Sequence, residues 1–181
     1  MKQFLYLIGE PGAGKSTLLA AALAGVPASQ VDAPFAHRLL AGGVGAELGA
    51  VRPTFSGTHA LGMNAIDKVI PWLFHGAAPA LLVAEGDRLA CDRFFTAVRA
   101  AGYHLTVAQV EAGTLAAARR AARGSKQNET WVKGRRSKAD TLASKWGDLS
   151  WRLRNSGEAA VAVARLVQHP VIAEIRHSAG L

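Results

Sequence analysis

A nine-residue segment near the start of the chain combines the residue types that bind a phosphate chain. It matches the pattern G-x-x-x-x-G-K-[S/T] and reads Gly9-Glu10-Pro11-Gly12-Ala13-Gly14-Lys15-Ser16-Thr17. The glycines allow the backbone to turn successive N–H groups towards a phosphate. Lys15 can reach the outer phosphates, and the Ser16 hydroxyl suits a magnesium ion. A plain glycine turn is the alternative. An apolar run precedes the segment and helix-forming residues follow it, so we predict that all nine residues bind a nucleotide.

Three carboxylates are candidates for metal binding and proton transfer. Glu85 and Asp87 follow the apolar run 80–84, where an acid would lie beside the phosphate-binding segment. There they can hold magnesium, as we expect of Glu85 together with Ser16, or accept a proton from an attacking hydroxyl. Asp32 ends a second, shorter run and is expected to face the acceptor. The alternatives are a helix-capping role for Asp87 and a loop role for Asp32. The sequence does not decide which of the three carboxylates is the general base.

A segment at 52–61 has the composition of an acceptor-binding region. It offers an arginine, an aromatic ring, hydroxyls and a histidine just before a predicted helix, and we assign Arg52, Phe55, Thr58 and His59 to the acceptor. His59 could also transfer a proton, although a single histidine is more often a hydrogen-bonded structural residue. Arg88, which directly follows Asp87, is assigned to the acceptor as well.

The positive charge of the chain is concentrated in its last third. The net charge is +8, yet residues 1–117 are balanced, whereas 119–154 contain 11 basic and 3 acidic residues. Such a cluster favours an anionic partner, either nucleotide phosphates or a nucleic-acid backbone. We predict an arginine-rich lid at about 119–138. Arg119 and Arg120 would bind the nucleotide and Arg123 would stabilise the moving phosphoryl group. The acceptor would be bound by Trp131, Lys133, Arg135 and Arg136. A solvated helix-loop-helix is the alternative.

Short apolar runs alternate with helical segments, and this pattern predicts an α/β fold with a parallel sheet that helices cover on both faces. The predicted strands are 3–8, 30–33, 80–84, 104–110 and 151–154. The predicted helices are 16–24, 61–74, 87–101, 111–123, 137–146 and 157–168. Residues 124–138 are expected to form a loop, with Ser137 and Asp140 as a capping box for the helix after it.

Length and composition restrict the class of protein. The chain has 181 residues, half of them apolar, which suits a single domain over 1–181 and excludes a disordered chain. Cys91 is the sole cysteine, so an intrachain disulfide and a cysteine-based zinc site are excluded. The first residues lack a signal-peptide layout and form too short a run to cross a membrane. We therefore expect a cytoplasmic protein without a membrane partner.

The phosphate segment, the acids after two predicted strands and the arginine-rich segment together resemble the P-loop nucleoside and nucleotide kinases. That resemblance implies the P-loop NTPase fold, a five-stranded parallel sheet in the order 2-3-1-4-5, and ATP with Mg²⁺. Three segments are similar to phage-encoded kinases that phosphorylate 5-hydroxymethyluracil in DNA, and these are 52–61, 85–89 and 131–136. His59 stands where that resemblance leads us to expect an aspartate. The host cytoplasm would then be the location.

The sequence supports three functions. The leading hypothesis is transfer of the γ-phosphate of ATP to a hydroxyl of a nucleic-acid-type acceptor, most sharply 5-hydroxymethyluracil in DNA that is flipped out of the duplex. The second is a kinase for a free nucleoside or nucleoside monophosphate. The third is a non-catalytic nucleotide-binding switch that acts on DNA or on a protein partner. ATP binding is expected under all three, whereas the oligomeric state is not predicted.

Overall fold

The computed structural model describes residues 1–49, 57–157 and 159–181. Its centre is a sheet of seven strands in the order β2-β3-β4-β5-β1-β6-β7. The strands are β1 (Gln3–Ile8), β2 (Ala28–Val31), β3 (His37–Leu40), β4 (Gly45–Leu48), β5 (Leu81–Glu85), β6 (His104–Glu111) and β7 (Gly147–Arg154). Strands β4, β5, β1, β6 and β7 run parallel to one another, while β3 is antiparallel to both β2 and β4.

Within residues 1–49, 57–157 and 159–181, seven α-helices connect and cover the strands. They are α1 (Lys15–Ala22), α2 (Ala65–Phe74), α3 (Asp92–Ala100), α4 (Leu115–Ala122), α5 (Glu129–Trp146), α6 (Ala159–Val167) and α7 (Pro170–Ser178). In the part of the chain that the structure describes, none of the helices has both the length and the apolar character that a membrane span requires.

Alternation along β1 divides the core into two halves. Phe4 and Tyr6 point to one face and belong to an aromatic-rich cluster with Phe94 and Phe95 of α3, whereas Leu5 and Leu7 point to the other face. Helices α2, α3 and α5 contribute to the first face, and α1, α4, α6 and α7 contribute to the second. Because both faces are covered, β1 is a continuous apolar run. The loops at the carboxyl ends of the parallel strands are left to bind ligands.

The predicted five-stranded, all-parallel sheet is wrong. The strand predicted at 30–33 is β2, which lies at the antiparallel edge of the sheet. The position expected for it, beside β5 on the side away from β1, is taken by β4. The sequence of β4, Gly45-Ala46-Glu47-Leu48, lacks the β-branched and aromatic residues that mark a strand. All four of its residues are nevertheless buried, so its position between β3 and β5 stabilises it rather than its intrinsic propensity.

Two predicted helix starts are also wrong. Residues 129–138 are part of α5 and not of a loop, and the helix is capped by Asn128, whose side chain accepts a hydrogen bond from Trp131 N at 2.8 Å. The predicted capping box at Ser137 therefore lies inside the helix. Helix α3 begins at Asp92 rather than Asp87, which excludes the helix-capping role for Asp87.

Candidate active site

The predicted phosphate segment forms the connection between β1 and α1. Gly9, Gly12 and Gly14 have φ values of 150°, 89° and 90°. A side chain on any of them would also meet a neighbour within 2.4 Å, so both the conformation and the space require glycine. Ser16 and Thr17 lie in the first turn of α1, whose N–H groups have no partner within the helix. The connection between β1 and α1 therefore has the arrangement of a phosphate-binding loop, as predicted.

Lys15 is buried within this loop and folds back over it. Its Nζ donates hydrogen bonds to the carbonyls of Gly9 and Glu10, at 2.9 and 3.1 Å. Burial lowers the pKa of the Lys15 amine, while the negative charges of Glu85 and Asp87 act in the opposite direction. Among the described residues the hydrogen-bond partners of this buried amine are neutral carbonyls, so the amine is suited to bind an anion.

Glu85, the last residue of β5, meets Ser16 across the site. The Ser16 hydroxyl donates to Glu85 Oε1 at 2.8 Å, and Glu85 is 1% exposed. Its second oxygen, Oε2, is buried without a hydrogen-bond partner among the described residues. Burial raises the pKa of the Glu85 carboxyl, and Lys15 and the Ser16 hydrogen bond oppose that shift. The two residues that the sequence suggested as magnesium ligands, Ser16 and Glu85, are thus in direct contact.

The turn at 57–60 fixes the position of Glu85. Thr58 is fully buried, and its hydroxyl donates to the carbonyl of Glu85 at 2.9 Å. The buried Tyr6 hydroxyl donates to the carbonyl of Gly86 at 3.1 Å. Gly57 has a φ of 64°, and a Cβ there would lie 2.0 Å from Glu85 Oε1. The sequence suggested that Thr58 contacts an acceptor. In the structure its side chain is instead buried against the end of β5.

Asp87 holds two cations of α5. Its carboxylate forms ion pairs with Arg135 and with Lys138 Nζ, the latter at 2.9 Å, and its carbonyl accepts from Lys138 at 3.3 Å. The guanidinium of Arg135 also lies over the ring of Trp131, 5.0 Å from its centroid. Of the predicted acceptor residues, Arg135 thus contacts Asp87, the candidate base, and its guanidinium covers one face of the Trp131 ring.

The arginines of α4 reach the phosphate-binding loop from outside. Arg120 NH1 donates to the carbonyl of Pro11 at 2.6 Å and lies 3.7 Å from Glu10 Oε2. Arg119 NH1 donates to the carbonyl of Ala13 at 3.4 Å. Arg123 is exposed and donates to the carbonyl of Arg119 at 3.3 Å, and its charge is among the causes that lower the pKa of the Lys15 amine. All three arginines therefore lie near the phosphate site and donate to backbone carbonyls, those of the loop for Arg119 and Arg120 and that of Arg119 for Arg123.

His59 and Arg88 lie beside the turn that follows β5. A Cβ on Gly86 would be 3.1 Å from His59 Nε2. Partial burial, Lys15 and Arg88 lower the pKa of the His59 imidazole, so its neutral form is favoured. Arg88 NH1 contacts the sulfur of Met63, and its Nε is buried without a partner in the described part of the chain. Both residues therefore lie close to Gly86 and Asp87 in the charged group around Lys15.

The remaining predicted residues are only partly brought together. Arg136 lines a cavity of about 240 Å³ between Glu10 and α5, and Lys133 is exposed on the same helix. Asp32 is exposed and accepts a hydrogen bond from Gln30 at 3.2 Å. Because three strands separate β2 from β1, Asp32 lies roughly 19 Å to the side of the phosphate-binding loop. Its expected position at the acceptor is therefore wrong. Arg52 and Phe55 lie outside the described residues.

The donor set at Ser16 and Glu85 fits a magnesium ion. A serine hydroxyl and a carboxylate are hard oxygen ligands, and the buried Oε2 of Glu85 is free to accept a metal-bound water. Within residues 1–49, 57–157 and 159–181, no cluster of three or more His, Cys, Asp or Glu side chains could hold a metal ion. A two-ligand site agrees with the preference of Mg²⁺ for few protein ligands and several waters or phosphate oxygens.

Three residues of the site were not predicted from the sequence. Asn155 follows β7, is 2% exposed, and donates through Nδ2 to the carbonyl of Ala13 at 2.8 Å. Lys138 pairs with Asp87, and Tyr6 supports Gly86. Asn155 carried a usable signal, because a polar residue directly after an apolar parallel strand lies at the edge of the sheet where ligands bind. Tyr6 carried none, since it is one of several apolar residues in β1.

No curated protein and no solved structure matches the chain. Residues 1–178, nearly the whole length, match the family described as P-loop Nucleotide Kinase3. This match supports nucleotide binding and phosphotransfer in general, in agreement with the loop, Lys15, Ser16 and Glu85. The chain belongs to the P-loop nucleotide kinase 3 family.

Proposed function

We propose that the protein transfers the γ-phosphate of ATP to a hydroxyl group, with Mg²⁺ as cofactor. The observation that carries this proposal is the Ser16–Glu85 hydrogen bond beside Lys15, which joins the phosphate-binding loop to a buried carboxylate with one free oxygen. Glu85 and Ser16 would hold the metal. Magnesium, when bound, would neutralise charge on the phosphate oxygens.

The residues of the site divide the remaining work. Lys15 and Arg123 would stabilise charge on the moving phosphoryl group, and the loop would orient the phosphates. Asp87 is the proposed proton acceptor, because Asp32 is distant and Glu85 already accepts from Ser16. Arg135 and Lys138 each pair with one oxygen of the Asp87 carboxylate, so an acceptor hydroxyl would compete with these two cations for it. His59 and Arg88 would contact the acceptor.

We propose that the acceptor is a nucleic acid, and more specifically the hydroxymethyl group of 5-hydroxymethyluracil in DNA. Its support is a set of basic side chains without an ion-pair or hydrogen-bond partner among the described residues, namely Lys126, Lys133, Arg136 and Arg154. Three of these lie on or just before α5, the helix that also carries the half-exposed Trp131, so this helix offers both cations for a phosphate backbone and a ring for a base.

A free nucleoside or nucleoside monophosphate is the second candidate acceptor, and the charge distribution favours it. Seven of the basic residues between 119 and 154 have protein partners, including Arg119, Arg120 and Lys145. The concentration of positive charge in the sequence therefore overstates the charge that is free to bind DNA. A small acceptor needs only the cations around Asp87.

An acceptor screen with γ-labelled ATP tests the proposal. Wild-type protein and Lys15→Met are incubated with duplex DNA containing 5-hydroxymethyluracil, with unmodified DNA of the same sequence, and with free nucleosides and nucleoside monophosphates. We expect Lys15-dependent label in the modified DNA alone. Label in a free nucleoside or its monophosphate would select the second candidate. ATP binding without transfer to any acceptor would contradict the kinase proposal and leave a nucleotide-binding switch.

A further inference from the structure

The outer side of the phosphate-binding loop is held by three side chains from elements that are distant in sequence. Asn155 Nδ2 donates to the carbonyl of Ala13 at 2.8 Å, and Arg120 NH1 donates to that of Pro11 at 2.6 Å. Arg119 adds a longer bond to Ala13 O and one to Asn155 Oδ1, each at 3.4 Å. The carbonyls of alternate loop residues are thus bound from the side of α4 and β7.

We propose that Asn155, Arg119 and Arg120 are positioning residues that fix the loop in its phosphate-binding shape before a nucleotide arrives. In a trans peptide the carbonyl of one residue and the N–H of the next point in opposite directions. Holding the carbonyls of Pro11 and Ala13 outwards turns the N–H groups of Gly12 and Gly14 inwards. Those two N–H groups then face the phosphates without reorganisation.

Packing around the loop agrees with this role. A Cβ on Gly14 would lie 2.4 Å from Asn155 Nδ2, and one on Gly12 would lie 2.4 Å from the carbonyl of Ala116 in α4. Asn155 is itself fixed, because its backbone N–H donates to the carbonyl of Glu111 at 2.7 Å. The loop is therefore in direct contact with a hydrogen-bonded amide and cannot turn its peptides without breaking these contacts.

Arg119 and Arg120 then have a different role from the one that the sequence suggested. The sequence suggested that Arg119 and Arg120 bind the nucleotide directly, whereas here their guanidinium groups are engaged with backbone carbonyls. Their charge still raises the positive potential at the loop, but their contribution to affinity would act through the backbone. The inference rests on the proposed function only in assuming that the loop binds phosphates.

Calorimetric titration with two probes tests it, namely ADP and inorganic pyrophosphate, which has no base or sugar. A hydrogen bond of this kind contributes about 1 kcal/mol, so we expect Asn155→Ala to weaken both probes by roughly 5- to 10-fold. Arg120→Met should weaken both by a similar factor, and Arg120→Lys, which keeps a donor, should restore most of the loss. Weaker ADP binding with unchanged pyrophosphate binding would show that these side chains contact the nucleoside, and would overturn the inference.

Arg176→Met is the matched control. Arg176 NH1 donates to the carbonyls of Ala22 and Ala24 at the other end of α1, both at 3.1 Å, so this variant also removes an arginine–carbonyl hydrogen bond. Its pyrophosphate affinity should equal that of the wild type. Thermal unfolding identifies any variant that does not fold, and Arg120→Met, at a partly exposed position, provides the test if Asn155→Ala unfolds. Wild-type protein that binds neither probe would refute the proposed function and the inference together, whereas variants with wild-type affinity would refute the inference alone.

Discussion

Replacement of Asp87 by asparagine separates two properties of this residue, namely its proposed role as proton acceptor and its ion pairs with α5. Asparagine has nearly the shape of aspartate but neither accepts the proton of the acceptor hydroxyl nor balances the charges of Arg135 and Lys138. Loss of a positioned general base reduces turnover by about 100- to 10,000-fold. We expect the kcat of Asp87→Asn to fall within that range and that of Asp87→Glu to fall much less.

The effect on α5 follows from the exposure of the three side chains. Asp87 is 28% exposed and its two partners are 36% exposed, so water weakens both ion pairs but does not cancel them. Exposed ion pairs contribute about 0.2–1 kcal/mol each, and we take about 1–2 kcal/mol for the two together. That free energy corresponds to a roughly 5- to 30-fold larger population in which the first half of α5 is detached.

Hydrogen exchange of the amides at 129–138 measures this population directly. We expect exchange to accelerate by the same factor in Asp87→Asn and, to a smaller extent, in Lys138→Gln, which leaves the carboxylate in place. The control is Asp67→Asn, because Asp67 and Arg93 form a more exposed ion pair, at 2.7 Å, that does not involve α5. Unchanged turnover in Asp87→Asn would exclude Asp87 as the base. Unchanged exchange would show that its ion pairs do not hold the helix.

Three other predictions concern Glu85, the pH dependence of stability and the binding of a DNA acceptor. Gly57→Ala should abolish magnesium-dependent turnover, because its Cβ would lie 2.0 Å from the carboxylate of β5; Gly76→Ala, with a similar φ of 73° and open space, is the control for backbone strain. His169 is buried, and burial lowers its pKa from 6.5 to about 4. The folded protein therefore favours the neutral imidazole. The free energy of unfolding is unaffected by this group above pH 6.5, and it decreases by about 3 kcal/mol as the pH falls from 6.5 to 4. His169→Asn, which can still cap α7, should remove this loss in chemical unfolding measured at each pH, and a parallel pH dependence in both proteins would contradict it. For a DNA acceptor, Lys133→Glu with Arg136→Glu should reduce the slope of log affinity against log salt by about 1 for each DNA phosphate that the variant no longer binds, whereas an unaltered slope would remove these side chains from the interface.

The arrangement of residues at the centre of the site could be predicted from the sequence because it is encoded locally. The glycines, Lys15 and Ser16 are adjacent in the chain, and an apolar run places Glu85 at the end of a buried strand. Any parallel sheet that includes both runs brings their carboxyl ends to one edge. The pairing of Ser16 with Glu85 then requires only that β5 lies directly beside β1, as it does.

Contacts that depend on tertiary packing could not be predicted in this way. The error at Asp32 arose because β2 looks like a strand in the sequence, whereas β4, which takes the place beside β5, does not. Likewise, Thr58 resembled a binding residue among other hydroxyls, and only the fold shows that it lies behind Glu85. In both cases neighbouring strands and turns decide the position, and single-residue propensities do not contain that information.

The arginine-rich segment connects the two halves of the site through a single stretch of chain. Helix α4 binds the carbonyls of the phosphate-binding loop, and α5, seven residues further on, binds the carboxylate of Asp87. The second half of α5 is fixed independently, because Lys145 and Trp146 both bind Asp92, at 2.7 and 2.6 Å. A phosphate that draws Arg135 away from Asp87 would therefore loosen the first half of α5, while the contacts of α4 and of the end of α5 are unaffected. The same event would uncover the proposed base, so phosphate binding and proton acceptance would be coupled through Arg135 and Lys138.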